Sequence, residues 1–252
     1  MKPSSLILIS ILFGISLLGI AIQFFPEIDL YASGLFYKKN IGFALAENPV
    51  LSFLHELATT GSRILGIALC GILVFAAIRK SAWNIPARTW LFLLCMLLIG
   101  PGLVANALFK DNWGRARPRE VSTFGGNAAF TPPLIPQPSF RANGSFVAGD
   151  AAFGFSLPAF AVIAPPIPGH KKTSQTTGRK PRPWSKWIFW AGITTGFAFG
   201  YTRLAMGAHF LSDVIFAMMI MLAVMALLQT AFYGKRTTLQ YWRCWLGISS
   251  RE

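Results

Sequence analysis

Six apolar stretches constrain the fold of this chain most strongly, because each approaches the roughly 20 residues that a helix needs to cross a bilayer. They cover about residues 5–25, 62–78, 88–109, 146–167, 185–205 and 210–233. Only 13% of the 252 residues are charged, against about a quarter in soluble domains. Backbone inside lipid must satisfy its own polar groups, as helices do. The sequence therefore predicts an all-α integral membrane protein, a six-transmembrane-helix bundle in a single membrane domain over 1–252.

Two of the stretches have unusual ends. The fourth carries Pro158, Pro165 and Pro166, so we expect its far end to kink or stop early. The first has Phe24-Phe25-Pro26 where small residues would mark signal-peptide cleavage. We therefore expect the first stretch to stay in the protein as a membrane helix.

The distribution of Lys and Arg predicts the orientation. Most of the 23 basic residues fall on one side, in the N-terminus, the 79–88 connection, the basic loop 168–186 and the tail. The positive-inside rule places this side, with both termini, in the cytoplasm. The other face then carries two long connections, 26–61 and 110–145. Topology and contact with anionic headgroups account for the net charge of +14, so no nucleic-acid partner is expected.

The Cys and His residues point to neither a disulfide framework nor a metal site. Cys70 and Cys95 lie in predicted helices, and Cys244 lies on the cytoplasmic side. The three histidines are scattered without metal-ligand spacing. We expect no metal and no cofactor.

A cluster of cations begins the second long connection. Lys110, Arg115 and Arg117 stand within eight residues at the end of an apolar stretch. Fixed charges this dense repel one another near hydrocarbon unless an anion or carboxylates lie among them. A connection as long as 110–145 in a compact bundle is usually functional. The cluster therefore predicts a phosphate-binding site.

A second charged group lies where the fifth stretch meets the sixth. His209 and Asp213 are four residues apart, which places them on one face of a helix. A carboxylate that accepts from one imidazole nitrogen leaves the lone pair of the other free for attack or proton transfer. The alternative is that both residues merely cap the helix. The nearby Arg203 favours a ligand site, since a third charged group is costly without one.

Three motifs together resemble the type 2 phosphatidic acid phosphatase family. They are Lys110 with six residues before Arg117-Pro118, the Gly-containing step from Ser145 to Asp150, and Arg203 with five residues before His209 and three more before Asp213. The motifs extend over 110–213, and the six-helix layout covers nearly the whole chain. The resemblance implies a helical bundle, metal-independent catalysis and a histidine nucleophile, with the active site at the periplasmic ends of helices 3 to 6.

The resemblance also implies a role for each matching residue. Lys110, Arg117 and Arg203 would bind the phosphoryl oxygens. His209 would attack phosphorus to form a phosphohistidine, and Asp213 would orient it. Such residues suit phosphoryl transfer, which depends mainly on positioning and fixed positive charge.

The middle motif departs from the family pattern of Ser-Gly-His, because this chain has Ala148-Gly149-Asp150. Ala148 cannot donate a hydrogen bond, although the amides of the helix start, including that of Gly149, remain for a phosphate. Under one hypothesis Asp150 is a general acid, or positions a water or cation. Under the other the leaving step is weakened, and the protein is a slow or inert phospholipid-binding protein. The other matching residues favour activity.

The form of the motifs is most similar to the lipid A phosphatase branch, which removes the 1- or 4′-phosphate. The segments concerned are Asn112–Arg117 and Gly144–Asp150. The expected partner is a phosphorylated membrane lipid, met at the periplasmic face of a bacterial inner membrane. Undecaprenyl pyrophosphate and phosphatidylglycerol phosphate are alternative substrates.

Two further expectations concern charged residues outside the motifs. Arg115 and Arg119 fall outside the family spacing, and we expect them to pair with Glu120 or Asp111. The adjacent His55 and Glu56 are predicted to be a surface or capping pair.

Overall fold

The computed structural model describes residues 3–137, 143–163 and 184–248, which form a mostly helical bundle. The helices are α1 (Pro3–Phe24), α2 (Glu27–Gly34), α3 (Pro49–Arg79), α4 (Ala87–Lys110), α5 (Gly149–Ile163), α6 (Ser185–Ala205), α7 (Leu211–Tyr233) and α8 (Lys235–Trp245). Two short antiparallel hairpins connect them: β1 (Tyr37–Lys38) with β2 (Gly42–Phe43), and β3 (Ser81–Ala82) with β4 (Ile85–Pro86). The basic loop 168–186 falls almost entirely outside the described residues, as do Pro165 and Pro166.

Several helices are long and apolar enough to cross a membrane. Within the described ranges these are α3, α4 and α7, and a fourth span results if the end of α1 and α2 form one span bent by 108°. The apolar α5 is shorter. Polar residues such as Thr194, Thr195 and Arg203 lower the apolar character of α6. The structure therefore supports a helical membrane protein, while six spans remain an expectation.

The helix α3 begins well before the predicted residue 62. The side chain of Asn48 caps it by accepting from the amides of Val50 and Leu51 at 3.0 and 3.2 Å, and Pro49 occupies the first helical position. The predicted outer connection 26–61 therefore ends at 48, and it also contains α2 and the β1–β2 hairpin. The apolar pattern missed residues 49–61 of this helix because polar side chains such as His55 and Glu56 interrupt it.

Two helices change their hydrogen-bonding pattern near prolines. From Leu98 to Lys110, α4 is a π-helix with Pro101 inside it, and Asn106 Nδ2 donates to the carbonyl of Pro101 at 2.7 Å. π-helical segments are wider than α-helical ones and frequently occur at functional sites. The helix α5 becomes a 3₁₀ helix from Leu157, next to Pro158.

The helix α5 lies at the centre of the bundle, with Asp150 to Ser156 all buried. Glycine allows it to approach α6 backbone to backbone. A Cβ atom on Gly154 would lie 2.5 Å from Gly196 Cα, which is closer than atoms can pack. This contact fixes the height and rotation of α5, and hence the position of Asp150 at its start.

A smaller apolar cluster closes one end of the bundle over the turn between α6 and α7. It contains Phe43 of β2 together with Phe124 and Phe210. Gly207 in that turn has a φ of 65°, and a Cβ atom there would lie 2.4 Å from the Phe43 ring. The hairpin therefore packs directly on the turn that carries His209.

Candidate active site

The turn between α6 and α7 holds His209 in one defined orientation. Its Nδ1 atom lies 2.6 Å from the carbonyl oxygen of Ser145, so Nδ1 carries a hydrogen and donates it to that carbonyl. Asp213 Oδ2 is 3.7 Å from the same nitrogen, beyond hydrogen-bond distance. The lone pair of the imidazole therefore lies on Nε2, and a backbone carbonyl sets the tautomer that sequence analysis had attributed to Asp213.

His209 is almost completely buried, with 2% of its surface exposed. Burial lowers its pKa from the usual value near 6.5 to about 4. The Asp213 carboxylate opposes this shift, whereas the cations Lys110 and Arg203 reinforce it. The imidazole is therefore neutral at physiological pH.

Asp213 belongs to a buried ionic network. Its Oδ1 accepts from Arg115 Nη1 at 2.6 Å, and Arg115 Nη2 also donates to Asp29 Oδ2 at 2.8 Å. All three residues have 0% exposure. The expected pairing of Arg115 with Glu120 or Asp111 was wrong, because its partners come from α2 and α7, distant along the chain.

Asp213 also caps α7, since its Oδ2 accepts from the amide of Phe210 at 2.8 Å. The capping alternative therefore holds for Asp213. Because Phe210 directly follows His209, this bond fixes the backbone beside the imidazole. Asp213 thus supports His209 through the backbone and through its charge.

Two of the three expected cations, Lys110 and Arg203, act electrostatically on the imidazole, and Arg117 lies near Lys110. Lys110 ends α4, Arg203 lies in the last turn of α6, and Arg117 precedes a short 3₁₀ turn. Lys110 lies within electrostatic range of both arginines, and His209 within range of Lys110 and Arg203. The guanidinium of Arg117 contacts Asn143, with Nη2 3.2 Å from its carbonyl oxygen. The structure therefore brings together the three cations expected to bind phosphate.

Asp150 lies at the start of α5 and faces two basic groups. Its Oδ2 is 2.6 Å from His55 Nδ1 and 3.3 Å from Arg203 Nε. The prediction that His55 belongs to a surface or capping pair was wrong, because α3 carries it against Asp150. Its neighbour Glu56 is exposed and bonds to Thr60.

A sequence signal for His55 was present but indirect. The family pattern has a histidine where this chain has Asp150. A histidine elsewhere in the chain could therefore take the place of the missing one. His55 lies 95 residues from Asp150 in sequence, so only the packing of α3 on α5 brings them together.

The rest of the middle motif is tightly packed. Ala148 is fully buried, and its amide donates to the carbonyl of Asp213 at 3.3 Å. The amides of Gly149 and Asp150 open α5. A Cβ atom on Gly149 would lie 2.9 Å from Asn106 Oδ1 and 3.5 Å from Lys110 Nζ. Glycine at 149 therefore lets α4 bring Lys110 against the start of α5.

An elongated groove of about 850 Å³ leads away from these residues between α3 and α4. Lys110, Gly149 and Asp150 form one end. Side chains such as Ile67, Leu94 and Leu98 line the remainder, which is mainly apolar. The groove can accept apolar chains while an attached anionic group lies beside Lys110.

No cluster of metal ligands accompanies the site. Throughout 3–137, 143–163 and 184–248, no group of three or more His, Cys, Asp or Glu side chains could hold a metal ion. The positive charge at the site comes from its lysine and arginine side chains.

Comparison with known proteins identifies relatives of this chain. Residues 88–237 match the PAP2 superfamily. The lipid A 4′-phosphatase of Francisella tularensis subsp. novicida (strain U112) is 33% identical over 76% of this chain and 80% of its own length. The lipid A 4′-phosphatase of Rhizobium leguminosarum is 28% identical over 81% of this chain and 87% of its own length. No solved structure matches the chain significantly. The chain therefore belongs to the PAP2 superfamily, and over most of its length it resembles members named lipid A 4′-phosphatases.

Proposed function

We propose that this protein is a lipid phosphatase of a bacterial inner membrane that removes the 4′-phosphate of lipid A. One observation carries the proposal: a buried, neutral imidazole whose lone pair lies on Nε2 is near the cations Lys110 and Arg203, and Lys110 also lines one end of an apolar groove. The names of the relatives favour lipid A over other lipids and the 4′-position over the 1-position.

The cations bind the phosphate before any bond changes. Lys110, Arg117 and Arg203 hold its non-bridging oxygens, and the amides of Gly149 and Asp150 add donors at the helix start. Phosphoryl transfer needs mainly positioning and electrostatic stabilisation, which fixed cations in a site shielded from water provide.

His209 then attacks phosphorus through Nε2 and forms a phosphohistidine, while the bond between phosphorus and the lipid oxygen breaks and the lipid alcohol leaves. The ring gains positive charge during this step. The backbone carbonyl of Ser145 stabilises this charge by accepting a hydrogen bond from Nδ1. The negative charge of the Asp213 carboxylate, 3.7 Å from Nδ1, stabilises it electrostatically. Water subsequently hydrolyses the phosphohistidine and restores neutral His209.

The groove explains how a lipid reaches these groups. Its apolar walls can hold acyl chains at membrane depth, while the phosphate lies at the end formed by Lys110 and Asp150. We place this end at the periplasmic face, in a six-span topology with both termini in the cytoplasm. The distribution of Lys and Arg supports that orientation.

Phosphate release from defined lipids tests the proposal. Purified protein in detergent with a chelator is incubated with bisphosphorylated lipid A, undecaprenyl pyrophosphate or phosphatidylglycerol phosphate, alongside the His209→Ala variant. We expect release from lipid A that requires His209, and mass spectrometry should assign the loss to the 4′-position. Faster phosphate release from one of the other lipids would show that this lipid, and not lipid A, is the substrate. Binding without release from any lipid would indicate a phospholipid-binding protein instead, the alternative that Ala148 motivates.

A further inference from the structure

Asp150 is poorly arranged to donate a proton to the leaving group. Its Oδ2 accepts a hydrogen bond from His55 Nδ1 at 2.6 Å and faces Arg203 Nε at 3.3 Å. Both neighbours are nitrogen groups that favour a carboxylate. A sugar or alkyl alkoxide nevertheless leaves slowly without a proton, so the reaction calls for a general acid close to Asp150.

His55 has the properties that such an acid requires. Its side chain is 34% exposed, so water reaches the ring, and Nδ1 is hydrogen-bonded to a buried carboxylate. The bond to Asp150 leaves Nε2 as the second proton site of the ring. On α3, His55 lies one turn before Ala58 and Thr59, which line the groove. The imidazole therefore contacts Asp150, which lines one end of the groove.

We infer that His55 is the general acid and base of the reaction, and that Asp150 is a positioning residue that holds its ring. This inference rests on the proposed phosphatase function. It assigns the proton transfer to a histidine on α3 rather than to the middle motif.

The proton transfers balance over the two half-reactions. As His209 Nε2 bonds to phosphorus, the bond between phosphorus and the lipid oxygen breaks, and His55 Nε2 gives its proton to that oxygen. Neutral His55 then removes a proton from water as the water oxygen bonds to phosphorus and the bond to His209 breaks. The products are a lipid alcohol and inorganic phosphate, and both histidines return to their starting states.

The dependence on leaving group distinguishes an acid from a structural residue. We expect His55→Gln to lower kcat on lipid A by about 10²–10⁴-fold, the usual contribution of general acid catalysis. The comparison substrate is a nitrophenyl phosphate monoester that carries a long alkyl chain on its ring. Its nitrophenolate leaving group needs no proton, so its turnover should change only a few-fold. Glu56→Gln, next to His55 but exposed, is the matched control and should turn over both substrates at the wild-type rate.

A double-mutant comparison tests the role of Asp150. If Asp150 acts by positioning His55, Asp150→Asn should show the same leaving-group dependence. Adding it to His55→Gln should then cost little more on lipid A. If the fold-loss of kcat in the double variant equals the product of the two single losses, Asp150 acts independently of His55. That result would overturn its assignment as a positioning residue.

The outcomes separate this inference from the proposed function. Wild-type turnover of lipid A by His55→Gln, or equal losses on both substrates, would overturn the role of His55 while the function stood. If neither lipid A nor the aryl phosphate is hydrolysed in a His209-dependent manner, the proposed function itself fails. Phosphohistidine trapped by rapid quench gives a second measurement, because His55→Gln should form it more slowly from lipid A than the Glu56→Gln control.

Discussion

The two histidines of this site, His209 and His55, lie in different environments. His209 is buried, and a backbone carbonyl holds its Nδ1 hydrogen. The His55 side chain is 34% exposed, and its Nδ1 is hydrogen-bonded to a carboxylate. Residue identity and spacing therefore indicated that phosphate chemistry could occur here. The two imidazoles differ in how deeply they are buried and in which group accepts the Nδ1 hydrogen bond.

The low pKa of His209 can be measured directly. We expect its imidazole to titrate near pH 4 in ¹⁵N NMR spectra of labelled protein in detergent, with His209→Ala used for assignment. Because the unfolded chain binds the proton more tightly, His209 contributes stability that is fully present above about pH 6.5. That stability is lost as the pH falls towards 4. A midpoint near 6.5 would contradict the burial argument.

The Ala148→Ser variant tests the departure in the middle motif. Ala148 is the N-cap residue of α5 and makes no side-chain cap. A serine there can accept from an amide of the first turn, so we expect about 0.5–2 kcal/mol of added stability, seen as a higher melting temperature. If its hydroxyl instead binds phosphate, KM for lipid A should fall without a change in stability. No change in either quantity would show that the buried site cannot use a hydroxyl.

At the scale of elements, the contact between α5 and α6 sets the geometry of the site. A Cβ atom on Gly154 would meet backbone atoms of α6, including Gly196 Cα at 2.5 Å, and these cannot rotate away. The two helices would have to separate, which would also move Asp150 at the start of α5.

We therefore expect Gly154→Ala to lower both the melting temperature and kcat on lipid A, despite the helix-favouring nature of alanine. Gly71→Ala in α3 is the control, because a Cβ atom there meets no other atom within 4 Å. That variant should be neutral or slightly stabilising. Equal behaviour of the two variants would mean that the helix contact is not tight.

The sequence predicted helices where apolar residues run uninterrupted and misplaced them where charges interrupt the run. α6 extends over Ser185–Ala205 and α7 over Leu211–Tyr233, within a residue of the apolar stretches 185–205 and 210–233. α3 begins at Pro49 because its cap and its packing outweigh the polar residues of its first turns. α8 was not predicted, because its eleven residues are amphipathic rather than apolar.

At the scale of the whole molecule, Arg115 joins three distant segments. It bonds to Asp29 of α2 and to Asp213 and Ser212 of α7, while itself lying in the connection between α4 and α5. Its guanidinium carbon also lies 4.4 Å from the centre of the Phe210 ring. The network therefore holds α2, the connection between α4 and α5 and the start of α7 together.

Removing that charge should destabilise the whole bundle. Arg115→Met leaves two buried carboxylates without their cation, which typically costs about 3–5 kcal/mol. We expect a correspondingly lower midpoint in denaturant unfolding in detergent. Arg119→Met changes an exposed arginine nearby and serves as the control. Equal midpoints for the two variants would rule out a stabilising role for the network.

By itself, the sequence predicted the helical membrane class and, through the three motifs, named Lys110, Arg117, Arg203, His209 and Asp213 as candidate site residues. These follow from local properties, namely apolar run length and residue spacing. Only the tertiary structure decided that Ser145 holds His209, that Arg115 pairs with Asp29 and that His55 meets Asp150. Such contacts join residues 64 to 95 apart in sequence. They depend on the rotation and depth at which helices pack, which no local pattern specifies.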